Sequence, residues 1–340
     1  MQALTFFSPF LFLALAPAGF ALGGAWSFAA LAALPAALTL GDAALGDDRG
    51  LPDEGRGLAH RLLPWLYIPT QLAEIGWAAW AVAQPGTSLV AAVGLTLSTG
   101  LTAGVFGFLA AHEMAHSRSR AERALGLAML AGVLYMQFAI AHLVGHHRRA
   151  ATWEDPASAR RGESAYAFLA RSIGGQAREA WAHEAARLRR AGRAPLGPGN
   201  RVLAFAAIEA AIVIVIGILS WKALAFFIAQ AALAIVLLEL FNYIAHYGLQ
   251  RRRLADGRLE KLGPQHSWNT ARRMNNAALF NMGRHADHHR FSARAYQRLE
   301  LLEGGAELPS GYAAAILLSL VPPLWRQVMD PRVDRVMARR

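Results

Sequence analysis

The stretch "VLAFAAIEAAIVIVIGILSWKALAFFIAQAALAIVLLELFNYIAH" covers residues 202–246 and consists of two long apolar runs joined by the short turn "SWK". A helix that crosses the hydrocarbon core of a bilayer needs about 20 mostly apolar residues. The two runs, at about 202–220 and 223–244, have this length, and each contains a single acidic residue. The pattern predicts a pair of helices that crosses a membrane twice.

Four further runs of the same kind lie in the N-terminal third of the chain. The first has no basic residue before it and is longer than the apolar region of a typical signal peptide, so we expect it to be a retained helix. The 340 residues are 55% apolar and have a positive mean hydropathy. The sequence predicts an all-α integral membrane protein, a single domain over residues 1–340, with about six transmembrane helices. The four further runs lie at about 4–22, 25–43, 62–83 and 87–110.

The formal net charge is +11, and most of the arginines lie in the long connections between the apolar runs and after residue 248. If the six helices alternate in direction, these connections all lie on one side of the membrane. Basic residues are enriched in cytoplasmic loops. We therefore expect both termini and a cap formed by residues 111–201 and 245–340 to be cytoplasmic, at an inner membrane of the bacterial type. This distribution explains the basic charge without a nucleic-acid partner.

One more apolar stretch, residues 124–144, is long enough to cross the membrane. If it did, His116 and His146 would lie on opposite membrane faces, about 40 Å apart. The number of spans would also be odd, and a basic loop would lie outside the cell. We therefore expect this stretch to re-enter the membrane or to lie at its surface.

Nine of the twelve histidines fall in four short groups, each at or just past the cytoplasmic end of an apolar run. Histidines at positions i and i+4 of a helix project from the same face, one turn apart. His112 and His116 have this spacing, and so do His142 and His146. An adjacent histidine such as His147 lies about 100° round the helix and can approach a second metal ion. The nine are His112, His116, His142, His146, His147, His246, His285, His288 and His289.

These nine imidazoles would be a large polar load at one membrane face without something to bind. By contrast, His60 and His183 lack partners at a useful spacing, and we interpret them as structural. The chain has no cysteine, which excludes iron–sulfur clusters and thiolate-ligated haem. Two metal ions with four or five imidazoles each fit the count, and nitrogen ligation with open positions is typical of iron that reacts with oxygen.

Two other kinds of protein remain as alternatives. His112-Glu113-Met114-Ala115-His116 matches the H-E-x-x-H pattern of zinc proteases. An intramembrane zinc protease would need only three protein ligands around one zinc ion. A metal-binding transporter would have polar residues distributed through the depth of several spans, whereas these histidines crowd one face.

Several motifs together resemble the integral-membrane alkane 1-monooxygenases, within the membrane desaturase and hydroxylase superfamily. The resemblance runs from about residue 60 to 335 and is weakest in the first two predicted helices. The motifs that carry it are "HEMAHS" at 112–117, "HLVGHHRRAATWEDPASARRGES" at 142–164, "NYIAHYGL" at 242–249, "QHSWNT" at 265–270, "RHADHH" at 284–289 and the tail that begins "LPSGY" at 308–312.

The resemblance implies that the nine histidines hold two non-haem iron ions, which activate dioxygen and hydroxylate a terminal methyl group. The expected substrate is a medium-chain n-alkane, converted to the 1-alkanol. The resemblance also implies electrons from a rubredoxin or a ferredoxin-type carrier and its reductase, and the arginine-rich cytoplasmic face suits an acidic carrier. Alternatives with the same iron site are a xylene-type hydroxylase of aromatic methyl groups and a lipid hydroxylase or desaturase.

The chain departs from that family at two positions, because Ala141 and Ala245 stand where the family usually has glutamate. Other polar residues are candidates for hydrogen bonds to the iron ligands. Glu113 and Asp287 lie within two of the histidine groups and either accept ring N–H bonds or are solvated charges. Glu239 and Asn242 share a helical face with His246, which Glu239 is expected to orient unless it serves a proton path.

A few polar residues have less specific interpretations. His266 in "QHSWN" is either a donor to the ligands or a structural cap, and Asn269 is ambiguous in the same way. Glu209, inside an apolar run, is expected to join two helices by hydrogen bonds. Asp155 lies in an acidic turn with Pro156, which is expected to fix the loop rather than to take part in chemistry.

Overall fold

The computed structural model of the chain describes residues 6–50 and 57–339. Residues 4 and 5 of the first predicted span, and residue 340 of the predicted cap, lie outside this part. The described chain is mostly helical, and its one sheet is a parallel pair of two-residue strands, β1 (Trp268–Asn269) and β2 (Ala306–Glu307).

All six predicted spans form helices within a few residues of the expected bounds. Four segments are long and apolar enough to cross a membrane, namely Gly24–Leu45, Leu89–Ala115, Arg201–Leu219 and Trp221–His246. Of the other two, one is apolar but only 15 residues long, and one has 26 residues but carries more polar side chains. The helices are α1 (Ser8–Leu22), α2 (Ala29–Leu45), α3 (Leu58–Ala83), α4 (Leu89–Thr102), α5 (Phe108–Ala115), α10 (Arg201–Leu219) and α11 (Trp221–His246).

Helix α11 lies at the centre of the bundle and packs against α3, α4 and α10. Its approach to α4 is close because glycine faces it. A Cβ atom at Gly104, in the π turn Ala103–Gly107 that joins α4 to α5, would lie 2.7 Å from the Cα atom of Ala234. The close contact brings the C-terminal ends of α5 and α11, and so His112 and His246, to the same end of the bundle.

The stretch at 124–144 does not form one spanning helix. It is divided between α6 (Arg120–Gly132) and a second helical segment, with a break at residues 133–137. The chain turns back at the break, so that Nε2 of His142 lies 3.2 Å from Nε2 of His116. The prediction that this stretch does not cross as one helix is therefore confirmed, and residues 120–149 are called the re-entrant segment. The second segment consists of α7 (Phe138–Ile140), the π turn Ala141–His146 and α8 (His147–Arg149).

The remaining elements cover the end of the bundle where the histidines lie. A long polar helix, α9 (Ala165–Arg190), packs against the re-entrant segment and against α11. The connection from α9 to α10 ends in Asn200, whose Oδ1 accepts the main-chain N–H of Val202 at 2.9 Å and so caps α10. The other helices are α9 (Ala165–Arg190), α12 (Arg273–Ala278), α13 (His285–Arg290), α14 (Tyr312–Ser319) and α15 (Pro322–Ala338).

Candidate metal centre

The nine predicted histidines converge on two adjacent clusters. Within each cluster, one ring nitrogen of every member lies within 4.8 Å of the others, so each could hold a metal ion. The members come from α5, the re-entrant segment, the end of α11 and α13. The five-histidine cluster contains His112, His116, His142, His147 and His288, and the four-histidine cluster contains His146, His246, His285 and His289.

The spacing of the ring nitrogens fits metal ligation. In the five-histidine cluster, Nε2 of His147 lies 3.0 Å from Nε2 of His142 and 3.1 Å from Nε2 of His116. In the four-histidine cluster, Nε2 of His285 lies 3.2 Å from that of His246 and 3.0 Å from that of His289. Two ligands at right angles, each about 2.1 Å from an ion, are about 3.0 Å apart.

A π turn decides which histidine joins which cluster. The i, i+4 spacing predicts that His142 and His146 share a face, but the structure places them in different clusters. Residues 141–146 form a π turn, in which main-chain hydrogen bonds join residues five apart instead of four and the turn is wider than that of an α-helix. His142 therefore pairs with His147, whose ring centroid is 4.5 Å away, whereas the ring of His146 stacks at 5.3 Å.

Helix α13 divides its histidines in a similar way. His285 and His289, four residues apart, belong to the four-histidine cluster, while His288 reaches the other one. The ring centroids of His147 and His289 are 4.8 Å apart across the two clusters. The two candidate metal positions are therefore neighbours, and α13 and the re-entrant segment each contribute to both.

Burial keeps the candidate ligands in the form that binds metal. The four-histidine cluster is wholly buried, and in the other cluster only His116 and His147 are partly exposed. Burial, followed by the neighbouring histidines, lowers the pKa of His288 and His289 well below the ordinary value. Both rings are therefore neutral near pH 7, with a lone pair free for a metal ion.

Asp155 is a site residue that the sequence analysis assigned only to the loop. Its buried carboxylate lies 2.8 Å from Nδ1 of His146 and accepts the hydroxyl of Ser158 at 2.7 Å. Burial by itself would raise the pKa of Asp155. The interactions with His146 and Ser158 outweigh burial, so that the pKa of Asp155 is lowered. Such a carboxylate orients a metal-binding imidazole and raises its basicity. The acidic turn thus fixes a candidate ligand as well as the loop.

Asn269 positions the helix that carries three candidate ligands. Its Oδ1 accepts the main-chain N–H of Ala286 at 2.9 Å, in the first turn of α13, and its Nδ2 donates to the carbonyl of Ala306 at 3.0 Å. These bonds tie α13 to the short strand pair. The structural interpretation of Asn269 is thus the one that the contacts support.

Glu113 and Asp287 make their contacts away from the imidazoles. Glu113 accepts the main-chain N–H of Tyr296 at 3.4 Å, and Asp287 accepts Arg294 Nη1 at 2.8 Å and the N–H of Glu300 at 3.1 Å. Within the described residues, neither carboxylate hydrogen-bonds to a ring of the two clusters. The expectation that they accept ring N–H bonds therefore does not match these contacts.

Glu239 and Asn242 also bond elsewhere. Glu239 accepts the hydroxyls of Tyr135 at 3.0 Å and Ser172 at 2.6 Å, and Asn242 Nδ2 lies 3.5 Å from the same carboxylate. The structure thus places them in a polar network beside α9 instead of against His246. His266 accepts the N–H of Gly263 at 2.9 Å, in keeping with a structural cap.

The remaining sequence candidates are packed into the structure. His60 is buried beside the ring of Tyr296, and His183 lies 3.4 Å from Glu179, so neither joins a cluster. Ala141 lies in a small buried hydrophobic cluster with Ile140 and Ala180. Ala245 is fully buried in the main core.

The clusters are bounded by two different surfaces. The first surface is apolar: Phe138 stacks on His142 with ring centroids 4.8 Å apart, and Phe108 packs against Phe138. The second is polar: His116 and Glu113 border a cavity of about 1010 Å³ that is also lined by arginine and glutamate side chains. The site therefore contacts both an apolar wall and a polar vestibule.

Comparison with known proteins agrees with the motifs. The sequence model of the fatty acid desaturase family matches residues 86–315. The chain is 36% identical over 318 residues to alkane 1-monooxygenase 2 of Pseudomonas aeruginosa, covering 91% of this chain and 84% of that protein. It is 38% identical over 318 residues to alkane 1-monooxygenase 1 of the same organism, covering 91% and 83%. It is 37% identical over 303 residues to an alkane 1-monooxygenase of Pseudomonas putida, covering 87% and 75%.

The chain belongs to the alkane 1-monooxygenase family. It is therefore an oxygen-dependent oxidoreductase, and its apolar helices and family membership identify it as an integral membrane protein. The resemblance noted in the motifs is confirmed, and the zinc-protease alternative is set aside. The donor set fits a non-haem iron centre, because imidazole nitrogen suits iron and the chain has no thiolate to offer.

Proposed function

We propose that this alkane 1-monooxygenase relative hydroxylates the terminal methyl group of a medium-chain n-alkane at a centre of two iron ions. The observation that carries the proposal is the division of nine histidines into adjacent clusters of five and four ring nitrogens. The relatives' names supply the substrate class. Because ligands come from residues between 112 and 289, the chain is proposed to act as one domain.

The iron ions would activate dioxygen, with one oxygen atom inserted into the C–H bond and the other leaving as water at the cost of two electrons and two protons. The residues of the protein would hold the metal ions and exclude bulk water. The neutral imidazoles of both clusters would be the ligands, and Asp155 orients one of them through His146. Burial of the four-histidine cluster keeps bulk water from one of the two positions.

The two bounding surfaces suit the two kinds of reactant. An alkane offers no polar group, so only shape and position can select its terminal carbon. The rings of Phe108 and Phe138 beside His142 provide an apolar wall on the membrane side. The polar vestibule at His116 offers a path for water and protons.

The electron donor is proposed to be a rubredoxin or a ferredoxin-type carrier with its reductase, docking on the cytoplasmic face. The arginine-rich connections favour this face as the cytoplasmic one, at an inner membrane with six spans and both termini inside. A reporter domain fused after Arg149 should therefore be cytoplasmic in a bacterial cell. A periplasmic reporter would contradict the orientation.

The substrate proposal is tested by whole-cell conversion. The chain is expressed with a rubredoxin and its reductase, and octane, dodecane and p-xylene are supplied separately under oxygen. The expected product is a primary alkanol that is lost in His285→Ala, with Gly76→Ala as a control because its added methyl group meets no atom within 4 Å. Conversion of p-xylene alone, to a methylbenzyl alcohol, would contradict the alkane assignment and keep the iron centre.

A further inference from the structure

The re-entrant segment breaks its helical hydrogen bonding inside the membrane bundle. Glu209, which contacts the break, lies eight residues after the start of α10, or about 12 Å along the helix. Main-chain N–H and C=O groups at such a depth have no water to bond, and irregular backbone persists there only where the protein supplies partners. The partners at this break are side chains from two other helices, α10 and α11.

The end of α6 is a strained turn. The N–H of Tyr135 donates to the carbonyl of Leu130 at 2.9 Å, and that of Leu134 donates to the carbonyl of Ala131 at 3.2 Å. This pattern normally has glycine in the left-handed position. Here Leu134 occupies it, with φ of +54°. A strained residue of this kind persists only where its surroundings hold it.

Gln230 holds the last carbonyls of α6. Its side chain on α11 is fully buried, and its Nε2 donates to the carbonyl of Gly132 at 2.9 Å. A carbonyl in the last turn of a helix has no partner within the helix. Gln230 therefore supplies the hydrogen bond that water would supply at a helix end on the surface.

Glu209 holds the start of the next helical segment. Its Oε1 on α10 accepts the main-chain N–H of Met136 at 2.8 Å. N–H groups in the first turn of a helix also lack partners within the helix. The two sides of the break are thus capped from two neighbouring spans.

Glu239 ties the same break to α9. Its carboxylate accepts the hydroxyl of Tyr135 at 3.0 Å, the hydroxyl of Ser172 at 2.6 Å and Nε2 of Gln176 at 2.7 Å. These three donors, together with the weaker one from Asn242, converge on one carboxylate, so this position needs a group that accepts at both oxygen atoms. Tyr135 is the residue that follows the strained Leu134.

We propose that Glu209, Gln230 and Glu239 are positioning residues for the metal centre: together they set the depth and orientation of the tip formed by residues 132–136. Only six residues separate Met136 from His142, about 9 Å of helix. A shift of the tip must therefore move the segment that carries His142 and also His146 and His147. The inference rests on the proposed function in one respect, that these histidines bind iron.

The test compares variants that keep or remove the required acceptor or donor. Glu209→Gln keeps a carbonyl oxygen for the Met136 N–H, whereas Glu209→Leu removes it. Glu239→Gln replaces one accepting oxygen by an NH₂ group that faces the donors from Tyr135, Ser172 and Gln176. Gln230→Leu removes the N–H donor to the carbonyl of Gly132. The matched control is Gln84→Leu, which removes a glutamine bond to the carbonyl of Trp80 at the far end of α3.

The readout is the half-time of iron loss to a chelator from purified, iron-loaded protein, together with the Mössbauer spectrum. Loss is expected to be at least tenfold faster for Glu209→Leu, Gln230→Leu and Glu239→Gln, with altered iron environments. Glu209→Gln and Gln84→Leu are expected to stay within twofold of the wild type. Rescue by glutamine at position 209 but not at 239 is a pattern that general destabilisation does not produce.

The possible failures are distinguishable. A wild-type chain that binds no iron would overturn the proposed function and this inference with it. A wild type that holds iron, with all three disruptive variants losing it at the wild-type rate, would overturn the inference alone. If Glu239→Gln does not fold, Tyr135→Phe removes one hydroxyl donor from the same carboxylate, and iron loss at the wild-type rate in that variant would also count against the inference.

Discussion

For the proposed centre of two iron ions, replacing Asp155 by asparagine should weaken iron binding at one position and leave the other nearly intact. The carboxylate is 1% exposed and lies 2.8 Å from Nδ1 of His146. It also accepts Ser158 Oγ at 2.7 Å and the main-chain N–H of Ala157 at 3.1 Å. Asparagine has one accepting oxygen where aspartate has two, and it carries no charge. In the variant the imidazole of His146 therefore loses its charged partner. It also has to compete with Ser158 and the N–H of Ala157 for the single accepting oxygen of asparagine.

The expected magnitude follows from the partner that is lost. Removing a carboxylate that supports a metal-binding histidine costs about 10–100-fold in metal affinity, or about 1.4–2.7 kcal/mol. His146 belongs to the four-histidine cluster. Within the described residues, it is the only member of the two clusters with a hydrogen bond to a carboxylate. The loss should therefore fall on that cluster.

The assay is the time course of iron release to a chelator from the purified protein. For Asp155→Asn it should become biphasic, with about half of the iron released at least tenfold faster. Asp330→Asn is the matched control, because Asp330 accepts the hydroxyl of Tyr247 at 2.7 Å and touches no clustered imidazole. A single phase at the wild-type rate in Asp155→Asn would refute the supporting role, and equal acceleration of all the iron would refute its restriction to one cluster.

Three further substitutions test how the centre and its surroundings are held. Asn269→Ala removes the side-chain cap of α13, so the melting temperature should fall by the equivalent of about 1 kcal/mol, with faster iron loss. Glu184→Gln removes a buried carboxylate that pairs with Arg187 and Arg201. Burial raises the pKa of Glu184, but the hydrogen bonds from the two arginines outweigh burial and lower it. Iron-free wild type should be more stable than this variant by about 2 kcal/mol at pH 7. The difference should shrink as the pH falls below about 4.3, the pKa of an unfolded glutamate, towards the folded value; a difference that does not change with pH would contradict the assignment. Gly145→Ala would place a methyl group against the carboxylate of Glu179, which packs on the π turn, and would destabilise the protein by about 1–3 kcal/mol. The iron content of Gly145→Ala should therefore be lower than that of the control Gly76→Ala. It should recover in the double variant in which Glu179 is also changed to alanine.

Much of this fold could be predicted because helices that cross a membrane appear in the sequence as long apolar runs. The run at 223–244 is apolar for the length of a bilayer, and the helix begins and ends within two residues of that prediction. The failure of residues 124–144 to form one continuous span was predictable for a different reason. His116 and His146 had to reach the same face, and a continuous helix would have kept them apart.

The histidine partition was not predictable from the spacing. An i, i+4 rule assumes an α-helix, and only the three-dimensional structure places a π turn at residues 141–146. The π turn brings His142 and His147 into one cluster. In the sequence these two histidines are simply five residues apart, which is not a spacing that an α-helix would place on one face. Asp155 was missed because its turn has an ordinary structural explanation, and its contact with His146 depends on how the loop folds back.

The candidates Glu113, Asp287 and Glu239 were proposed from nearness in sequence or on a helix face. Nearness to the histidines did not decide their partners. Glu113 and Glu239 accept from residues far away in the sequence, and Asp287 accepts from Arg294 and Glu300 in the loop after α13. Glu239 illustrates the difficulty, since two of its donors, Ser172 and Gln176, come from α9. No local pattern around residue 239 encodes that contact.

The unequal clusters imply an order of assembly during translation. The ribosome has made four of the five histidines of one cluster once residue 147 is complete, and only His288 is then missing. The other cluster at that point has His146 alone, and its remaining three members follow at 246, 285 and 289. A nascent chain thus presents one nearly finished metal pocket long before the second exists. Iron delivered early in biogenesis would enter the five-histidine pocket first, and α13 would complete both pockets as the C-terminal segment docks.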